Sequence, residues 1–199
     1  MKIYLIRHGK TPGNQLGKYI GVTDEALLME ETEKLKEESY PGVDKVVISP
    51  MLRCQQTAKL LYPQGNYDTK VSLRECDFGK FENKNWKELT DDPDYQAWID
   101  SNSTLPFPGG EDPKDFKDRT CEGFAESIQN CIEEGITSVA FVVHGGTIMA
   151  ILERFAEEKK AFYEWHVKNA EGYEGCVDAE KWLAGEKILT DIQPVKRKK

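Results

Sequence analysis

The sequence contains no hydrophobic run long enough to cross a lipid bilayer. Apolar segments such as residues 138–143 are far shorter than the roughly 20 apolar residues that a membrane-spanning helix needs. An apolar leader is also missing, because a strand pattern begins directly after Met1. We therefore expect a cytoplasmic protein with no membrane partner.

Cysteine is scarce and unpaired. The chain has five cysteines, an odd number, and none lies in the C-x-x-C spacing that metal sites favour. This pattern argues against both a disulfide framework and a zinc site. We expect free thiols, no metal and no other cofactor. Histidine is scarcer still, with three residues in the whole chain, so the positions of these three are informative.

Positive charge is in deficit as well. The formal net charge is −8, whereas a general nucleic-acid binder usually carries a basic surface. The basic segment at 196–199 is interpreted as a solvated tail and not as a binding arm. An anionic substrate would then have to be attracted by a local positive pocket, because the global field repels it.

The chain is long enough for one substantial core, and we expect one domain over residues 1–199. A hydrophobic fraction of 39% with 31% charged residues is typical of a globular protein. Short β-rich runs alternate with segments of helical periodicity. The predicted strands are Lys2–Ile6, Asp44–Ile48, Thr69–Leu73 and Ser138–Val143, and the predicted helices are Leu27–Glu38, Met51–Leu61 and Pro113–Glu134.

The first and last of these strands are almost continuously apolar, as expected for a mostly parallel sheet that helices cover on both faces. This order predicts an α/β fold, a three-layer α/β/α sandwich of doubly wound type. Segments 176–183 and 187–193 flank Ala184-Gly185-Glu186 and are interpreted as a hairpin of edge strands. The stretch 83–112 is interpreted as an insertion that lies near the site.

Two of the three histidines follow predicted strands and precede glycine, in Arg7-His8-Gly9 and in His144-Gly145. Ligands of open α/β sheets bind beyond the carboxyl ends of the strands. Arg53 and Glu75 also come shortly after predicted strands, so we expect these groups to converge. Arginines can bind phosphate oxygens, a histidine can act as nucleophile, and a carboxyl group can protonate a leaving oxygen. The set suits phosphoryl transfer through a covalent intermediate.

Six ordered blocks make the chain resemble the histidine phosphatase superfamily, the phosphoglycerate-mutase-like group. Each block is short, but their order along most of the chain is specific. The blocks are Arg7-His8-Gly9-Lys10-Thr11 with Asn14, Tyr19-x-Gly21-x-Thr23-Asp24, Ser49-Pro50-x-x-Arg53-x-x-x-Thr57-Ala58, Leu73-Arg74-Glu75-x-Asp77-Phe78-Gly79-x-Phe81-Glu82, Pro108-Gly109-Gly110-Glu111 and Val143-His144-Gly145-Gly146.

The resemblance implies a role for each catalytic position. His8 would be the nucleophile that becomes phosphohistidine, and Arg7, Arg53 and His144 would surround the phosphoryl group. Glu75 would act as general acid and then activate water, although Asp77 and Glu82 lie close by. Enzymes of this family need no metal.

Four further residues are predicted to bind substrate. Asn14 would add a neutral hydrogen bond to the phosphate, although an asparagine there could instead organise a turn. The amide of Gly145 would add another. Thr11 could instead be a loop hydroxyl, and Glu111 could instead cap a helix. His166 lacks a partner motif and is expected on the surface or in packing. The aromatic residues of the insertion are expected to pack within it, and the alternative is a position over the mouth of the pocket.

The length of the chain and the element at 18–24 look most like the α-ribazole-phosphate phosphatases and related small bacterial phosphatases. The cofactor-dependent mutases of the family usually have a longer insertion before the Pro-x-Gly-Glu block. We expect a phosphomonoesterase acting on a small phosphorylated metabolite, such as α-ribazole phosphate. The alternatives are a phosphoglycerate mutase, a silent module that binds a phosphorylated ligand, and a phosphatase of phosphoproteins. Oligomeric state cannot be derived from the sequence.

Overall fold

The computed structural model describes residues 1–196. Residues 197–199, which hold most of the predicted basic tail, lie outside the described residues. The strands are β1 (Lys2–Arg7), β2 (Lys45–Ile48), β3 (Tyr67–Thr69), β4 (Ser138–Val143), β5 (Gly172–Cys176) and β6 (Thr190–Pro194). The helices are α1 (Pro12–Gln15), α2 (Met29–Glu37), α3 (Leu52–Leu61), α4 (Trp86–Leu89), α5 (Pro93–Asp100), α6 (Pro113–Glu133), α7 (Gly145–Phe155) and α8 (Ala179–Leu183), with short 3-10 helices at Val71–Leu73, Gly79–Phe81 and Phe162–Trp165.

One sheet with the strand order β3-β2-β4-β1-β5-β6 organises the described part of the chain. The four strands from β3 to β1 run parallel to their neighbours, and β5 and β6 add an antiparallel edge. The prediction of a mostly parallel α/β sandwich is confirmed.

Side chains that point alternately to the two faces of the central strands form two hydrophobic core layers, one on each face of the sheet. In β1, Ile3 and Leu5 join a cluster with residues of α6 and α7, whereas Tyr4 and Ile6 join a second cluster with residues of α2 and α3. Because successive side chains of a strand point to opposite faces, a continuously apolar strand supplies both cores at once. The carboxyl ends of β1 and β4 then lie side by side at one edge of these layers.

The predicted strand at 69–73 is wrong in its bounds. The parallel strand β3 ends at Thr69, and the chain then turns through the 3-10 helix Val71–Leu73. Leu73 is fully buried in the core cluster that contains α6. A turn is needed here because a straight continuation of β3 would carry Leu73 along the sheet and away from this layer.

The predicted C-terminal hairpin is only partly correct. The antiparallel pair of edge strands is present, but its first strand is β5, and residues 179–183 form helix α8. Asp178 caps this helix by accepting the backbone N–H groups of Glu180 and Lys181. Trp182 anchors it, since the indole is buried against the ring of Phe155 at 5.5 Å. The cap and the anchor together override the hairpin pattern.

Candidate active site

The ends of β1 and β4 bring His8 and His144 together. Arg7 pairs in register with Val143, and the backbone N–H of His8 donates to the Val143 carbonyl at 2.9 Å. The two imidazole rings are 5.2 Å apart between centroids and meet edge to face. Two residues separated by most of the chain therefore share one site.

A hydrogen bond at one nitrogen of the His8 imidazole fixes the ring and leaves the other nitrogen without a proton. Its Nδ1 lies 2.7 Å from the Gly9 carbonyl oxygen, which can only accept, so Nδ1 carries the proton and Nε2 keeps its lone pair. Burial, followed by the charges of Arg53 and Arg7, lowers the pKa of His8 well below its ordinary value. A neutral imidazole with an unprotonated Nε2 is the form that a nucleophile requires.

His144 has the opposite tautomer. Its Nδ1 accepts from Nε of Arg53 at 3.3 Å, so Nε2 carries the proton and donates to Oγ of Ser49 at 2.7 Å. Burial, then the charges of Arg53 and His8, lowers the pKa of this imidazole too. Ser49 was not singled out from the sequence, although its Ser-Pro-x-x-Arg block was quoted. We call His8, Arg53 and His144 the strand-end cluster.

Arg53 is completely buried, and backbone carbonyls hold its guanidinium. Nη1 donates to the Thr23 carbonyl at 2.8 Å and Nη2 to the Gly21 carbonyl at 2.9 Å. Glu82 shapes this loop, because its carboxylate accepts from the Gly21 N–H and the Thr23 hydroxyl, both at 2.8 Å. The Gly-x-Thr block thus fixes Arg53, and its charge acts on the two imidazoles beside it.

Arg7 lies where the buried cluster meets open space. Its Nη1 donates to the Val167 carbonyl at 2.7 Å, and its buried Nε has no hydrogen-bond partner among residues 1–196. A buried N–H without a partner is costly. An anion beside the guanidinium would offset that cost.

Glu75 is held by two backbone N–H groups. Oε2 accepts from Gly146 at 3.1 Å and Oε1 from Cys76 at 3.0 Å. Burial raises the pKa of this carboxyl, and the two hydrogen bonds oppose the rise. A raised pKa suits a general acid. Gly146 is required here, since a Cβ on it would lie 2.4 Å from Oε1 of Glu75. In the sequence this residue stands out only as the last position of the Val-His-Gly-Gly block.

Asn14 and Thr11 form the capping box of α1. Oδ1 of Asn14 accepts from the Thr11 N–H at 3.3 Å and from Nδ2 of Asn169 at 3.0 Å, which leaves the Asn14 amide NH2 to donate elsewhere. The prediction that Thr11 binds substrate is not supported. Its side chain is fully buried and accepts from the Asn14 N–H at 3.3 Å, so it acts as a helix cap.

Glu111 also makes a different contact from the predicted one to substrate. Its carboxylate pairs with Arg119, with Oε1 2.6 Å from Nε and Oε2 2.7 Å from Nη2, and it does not line either cavity described below. The cap of α6 is the neighbouring Asp112, which accepts from the Lys114 N–H. Since a bidentate pair engages both oxygens, the Glu111 carboxylate is committed to ordering the entry to α6.

Two cavities meet beside Arg7, the residue before His8, and Arg7 and His166 line both. The larger cavity, of about 690 Å³, begins at Arg7, Glu75 and Gly145. The smaller cavity, of about 550 Å³, includes Asn14 and several lysines. The expectation that His166 serves only the surface or packing is therefore incomplete, because the side chain faces both spaces. The larger cavity is walled by the aromatic side chains of Tyr19, Phe78, Trp98, Phe107, Phe116, Phe162 and Tyr163.

Within residues 1–196, no group of three or more His, Cys, Asp or Glu side chains is arranged to hold a metal ion. In the same part of the chain, none of the helices has the length and apolar character that crossing a membrane requires. The five cysteines are free thiols, and burial raises the pKa of Cys54, which contacts His144, to about 12.

Comparison with known proteins agrees with the geometry. The model of the histidine phosphatase superfamily (branch 1) matches residues 3–185. The adenosylcobalamin/alpha-ribazole phosphatase of Salmonella typhimurium is 26% identical over 95% of this chain and 96% of its own length. A 2,3-bisphosphoglycerate-dependent phosphoglycerate mutase of Rhizobium etli is 28% identical over 75% of this chain and 77% of its own. The structure of a putative alpha-ribazole-5'-P phosphatase from Escherichia coli superposes with a TM-score of 0.79 at 22% identity, covering 98% of this chain and 95% of the other.

Proposed function

Because the chain belongs to branch 1 of the histidine phosphatase superfamily, we propose that it hydrolyses a small phosphomonoester, whose leaving alcohol carries an aromatic or heteroaromatic ring, through a phosphohistidine on His8. The protein is a phosphoric monoester hydrolase of this superfamily. We propose one domain over residues 1–199, in which the insertion 83–112 helps to enclose the substrate.

The first half-reaction transfers the phosphoryl group to the protein. Nε2 of His8 attacks phosphorus, the bond from phosphorus to the ester oxygen breaks, and Glu75 donates its proton to the departing alcohol. The guanidinium of Arg7, with its uncommitted N–H groups, stabilises the phosphoryl oxygens. The amide NH2 of Asn14 and the backbone N–H of Gly145 supply neutral donors.

The second half-reaction releases phosphate. Glu75, now ionised, takes a proton from water as the water oxygen attacks phosphorus, and the bond from phosphorus to Nε2 breaks. Glu75 ends protonated and His8 neutral, so the cycle closes without a redox or metal step. Arg53 and His144 act from the buried side, where burial, followed by the charge of Arg53, keeps both imidazoles neutral.

The observation that carries the proposal is the larger cavity. It opens from the predicted general acid Glu75, so the leaving group would enter it. Its wall is aromatic, and its peripheral cations are matched by acids: Lys114 and Arg154 contact Asp118 at 2.7 and 2.5 Å, and Lys117 contacts Glu153 at 2.6 Å. Such a cavity favours an uncharged leaving group that carries a flat aromatic ring, because stacking on aromatic rings replaces water at low cost.

This wall also favours a hydrolase over a mutase. Phosphoglycerate carries a carboxylate next to its phosphate, and the paired cations of the larger cavity offer it little uncompensated charge. α-Ribazole phosphate, which the name of the Salmonella relative contains, places a heteroaromatic base on a ribose phosphate and matches the cavity better. We propose it as the first candidate substrate.

The test is turnover with excess EDTA on three substrates: p-nitrophenyl phosphate, α-ribazole 5′-phosphate and 3-phosphoglycerate. We expect metal-independent phosphate release, highest kcat/KM with α-ribazole phosphate, and no isomerisation of 3-phosphoglycerate. In His8→Ala, kcat should fall roughly 10⁴-fold or more, with loss of acid-labile phosphate on the protein.

Lys59→Gln, an exposed change outside both cavities, is the control and should keep full activity. Isomerisation of 3-phosphoglycerate at a rate above phosphate release would replace the hydrolase with a mutase. A folded parent that turns over none of the three would refute both enzymes and favour a silent binding module.

A further inference from the structure

The smaller cavity has a different chemical character from the larger one. Its charged lining comprises five cations, Arg7, Lys10, Lys18, Lys34 and Lys168, against two carboxylates, Glu31 and Glu171. Lys34 is balanced locally, since its ammonium lies 3.8 Å from Glu31 and 3.9 Å from Glu38. The remaining lysines are the unusual feature in a chain whose net charge is −8.

Three of these lysines are not neutralised by neighbours. Lys10, Lys18 and Lys168 form no ion pair with an acid within residues 1–196. In the larger cavity, by contrast, Lys114, Lys117 and Arg154 each contact a carboxylate. Like charges facing one concave space repel one another, and an anion in that space relieves the repulsion.

The cavity is also tied directly to the backbone of the proposed nucleophile. Nδ2 of Asn169 donates to the His8 carbonyl at 3.1 Å and to Oδ1 of Asn14 at 3.0 Å. Arg7, held by the Val167 carbonyl, closes the boundary with the larger cavity. Glu75 lines only the larger cavity and Asn14 only the smaller one, so Arg7 lies between the lysine-lined space and the predicted general acid.

We propose that the smaller cavity is a second anion subsite that binds a phosphate group beside, and in addition to, the phosphoryl group at His8. Lys10, Lys18 and Lys168 supply the charge, and Arg7 is shared between the two positions. A volume of about 550 Å³ leaves space for a hydrated phosphate next to the catalytic one. The group comes either from free inorganic phosphate or from a second phosphate on the ester itself.

Equilibrium binding tests the subsite without relying on turnover. Inorganic phosphate is titrated calorimetrically into the parent at low ionic strength, where charge contacts are least screened. We expect binding of a second phosphate ion per chain. Lys18→Gln/Lys168→Gln should lose this second ion or weaken it about tenfold, as expected when charge-assisted contacts are removed. Lys59→Gln/Lys181→Gln, the same charge change on exposed lysines outside both cavities, should retain it.

A second set of titrations identifies the source of the anion. Glucose 6-phosphate and glucose 1,6-bisphosphate are titrated into His8→Ala, which cannot consume them by the proposed route, with and without Lys18→Gln/Lys168→Gln. If the second phosphate belongs to the ester, only the bisphosphate should weaken, about tenfold, when the lysines are removed. If it is free phosphate, both esters should bind equally in the two backgrounds while the second inorganic phosphate disappears.

A single bound phosphate in the parent, together with unchanged bisphosphate affinity in the lysine variant, would overturn the subsite. Retention of the second phosphate by Lys18→Gln/Lys168→Gln would overturn it as well. Neither result depends on catalysis, so a protein that binds the second phosphate but hydrolyses no ester would refute the proposed function and leave the subsite standing.

Discussion

The strand-end cluster and the wall of the larger cavity are held by different kinds of interaction. In the cluster, each side chain is fixed by at least one directed hydrogen bond to the backbone or to a neighbouring side chain, as with Arg53 on the carbonyls of Gly21 and Thr23. The wall of the larger cavity consists of aromatic side chains in edge contacts, such as Phe78 and Phe107 with centroids 5.1 Å apart. Directed bonds fix chemistry, whereas aromatic packing fixes only shape.

This difference separates reaction type from substrate choice. Changing a member of the cluster, or Glu75 beside it, should change the rate of the chemical step. Changing a residue of the aromatic wall should change which ester is bound and leave the chemical step almost intact. The comparison holds only if kcat and KM respond separately in the two regions.

The largest expected effect after His8 is that of Glu75→Gln. Glutamine keeps the shape of the carboxyl group but cannot donate a proton to the leaving oxygen or accept one from water. For an alkyl phosphate we expect kcat to fall about 10²- to 10⁴-fold. With p-nitrophenyl phosphate, whose alcohol leaves without protonation, the variant should release one burst of p-nitrophenol and accumulate phosphohistidine. Rapid-quench kinetics measures the burst.

The pH dependence of kcat/KM tests the role of the Glu75 carboxyl group independently. His8 must be neutral to attack, and its lowered pKa places the acid limb of kcat/KM well below the ordinary pKa of histidine. Glu75 must be protonated to act as acid, and its raised pKa places the alkaline limb above the ordinary pKa of glutamic acid. The parent should therefore work best in mildly acidic solution, and Glu75→Gln should lose the alkaline limb. Glu122→Gln is the control and should keep the alkaline limb. If the limb persists in Glu75→Gln, another group is the acid.

A smaller effect is expected from Gly146→Ala, which tests whether catalysis needs the Glu75 carboxylate in its observed position. The new Cβ would lie 2.4 Å from Oε1 and must displace the carboxylate. We expect kcat to fall by roughly 10²-fold with little change in KM, since a displacement of about 1 Å is enough for such a loss. Alanine is a better helix former than glycine, so a loss of helix α7 cannot explain the result.

Gly42→Ala is the matched control, because no atom lies within 4 Å of a Cβ added there. Steady-state kinetics and a thermal melt of both variants complete the comparison. Full activity of Gly146→Ala would mean that catalysis does not need the Glu75 carboxyl in the position observed.

The sequence predicted the cluster better than its surroundings for a physical reason. The carboxyl ends of adjacent parallel strands meet by geometry, so the residues that follow β1 and β4 had to converge once a parallel sheet was recognised. The resemblance to the superfamily supplied the roles of Arg53 and Glu75. Thr11 and Glu111 make structural contacts that the motifs did not reveal, a helix N-terminus for one and Arg119 for the other, because a motif does not show which polar partner a side chain will take.

The aromatic wall could not be predicted in the same way. Trp98 and Phe162 lie about 60 residues apart in the chain, and neither belongs to a local pattern that marks a cavity. Helix α7, which directly follows His144, was also not predicted from the sequence. Its apolar residues nevertheless have helical spacing, at Ile148, Ile151, Leu152 and Phe155. Side chains from separate segments form a cavity only through tertiary packing, and a single sequence contains no direct signal of that packing.

The smallest expected effect, and the sharpest test of the comparison, is that of Phe162→Ala. This ring lines the larger cavity and lies 4.5 Å from the ammonium of Lys117, which keeps its pairing with Glu153 when the ring is removed. We expect KM for an aromatic phosphomonoester to rise about tenfold while KM for a small alkyl phosphate and both kcat values stay nearly constant. Trp86→Ala, on an exposed ring outside the cavity, should change neither substrate. Equal losses on the aromatic and alkyl esters would mean that Phe162 stabilises the fold and that the aromatic wall does not select the leaving group.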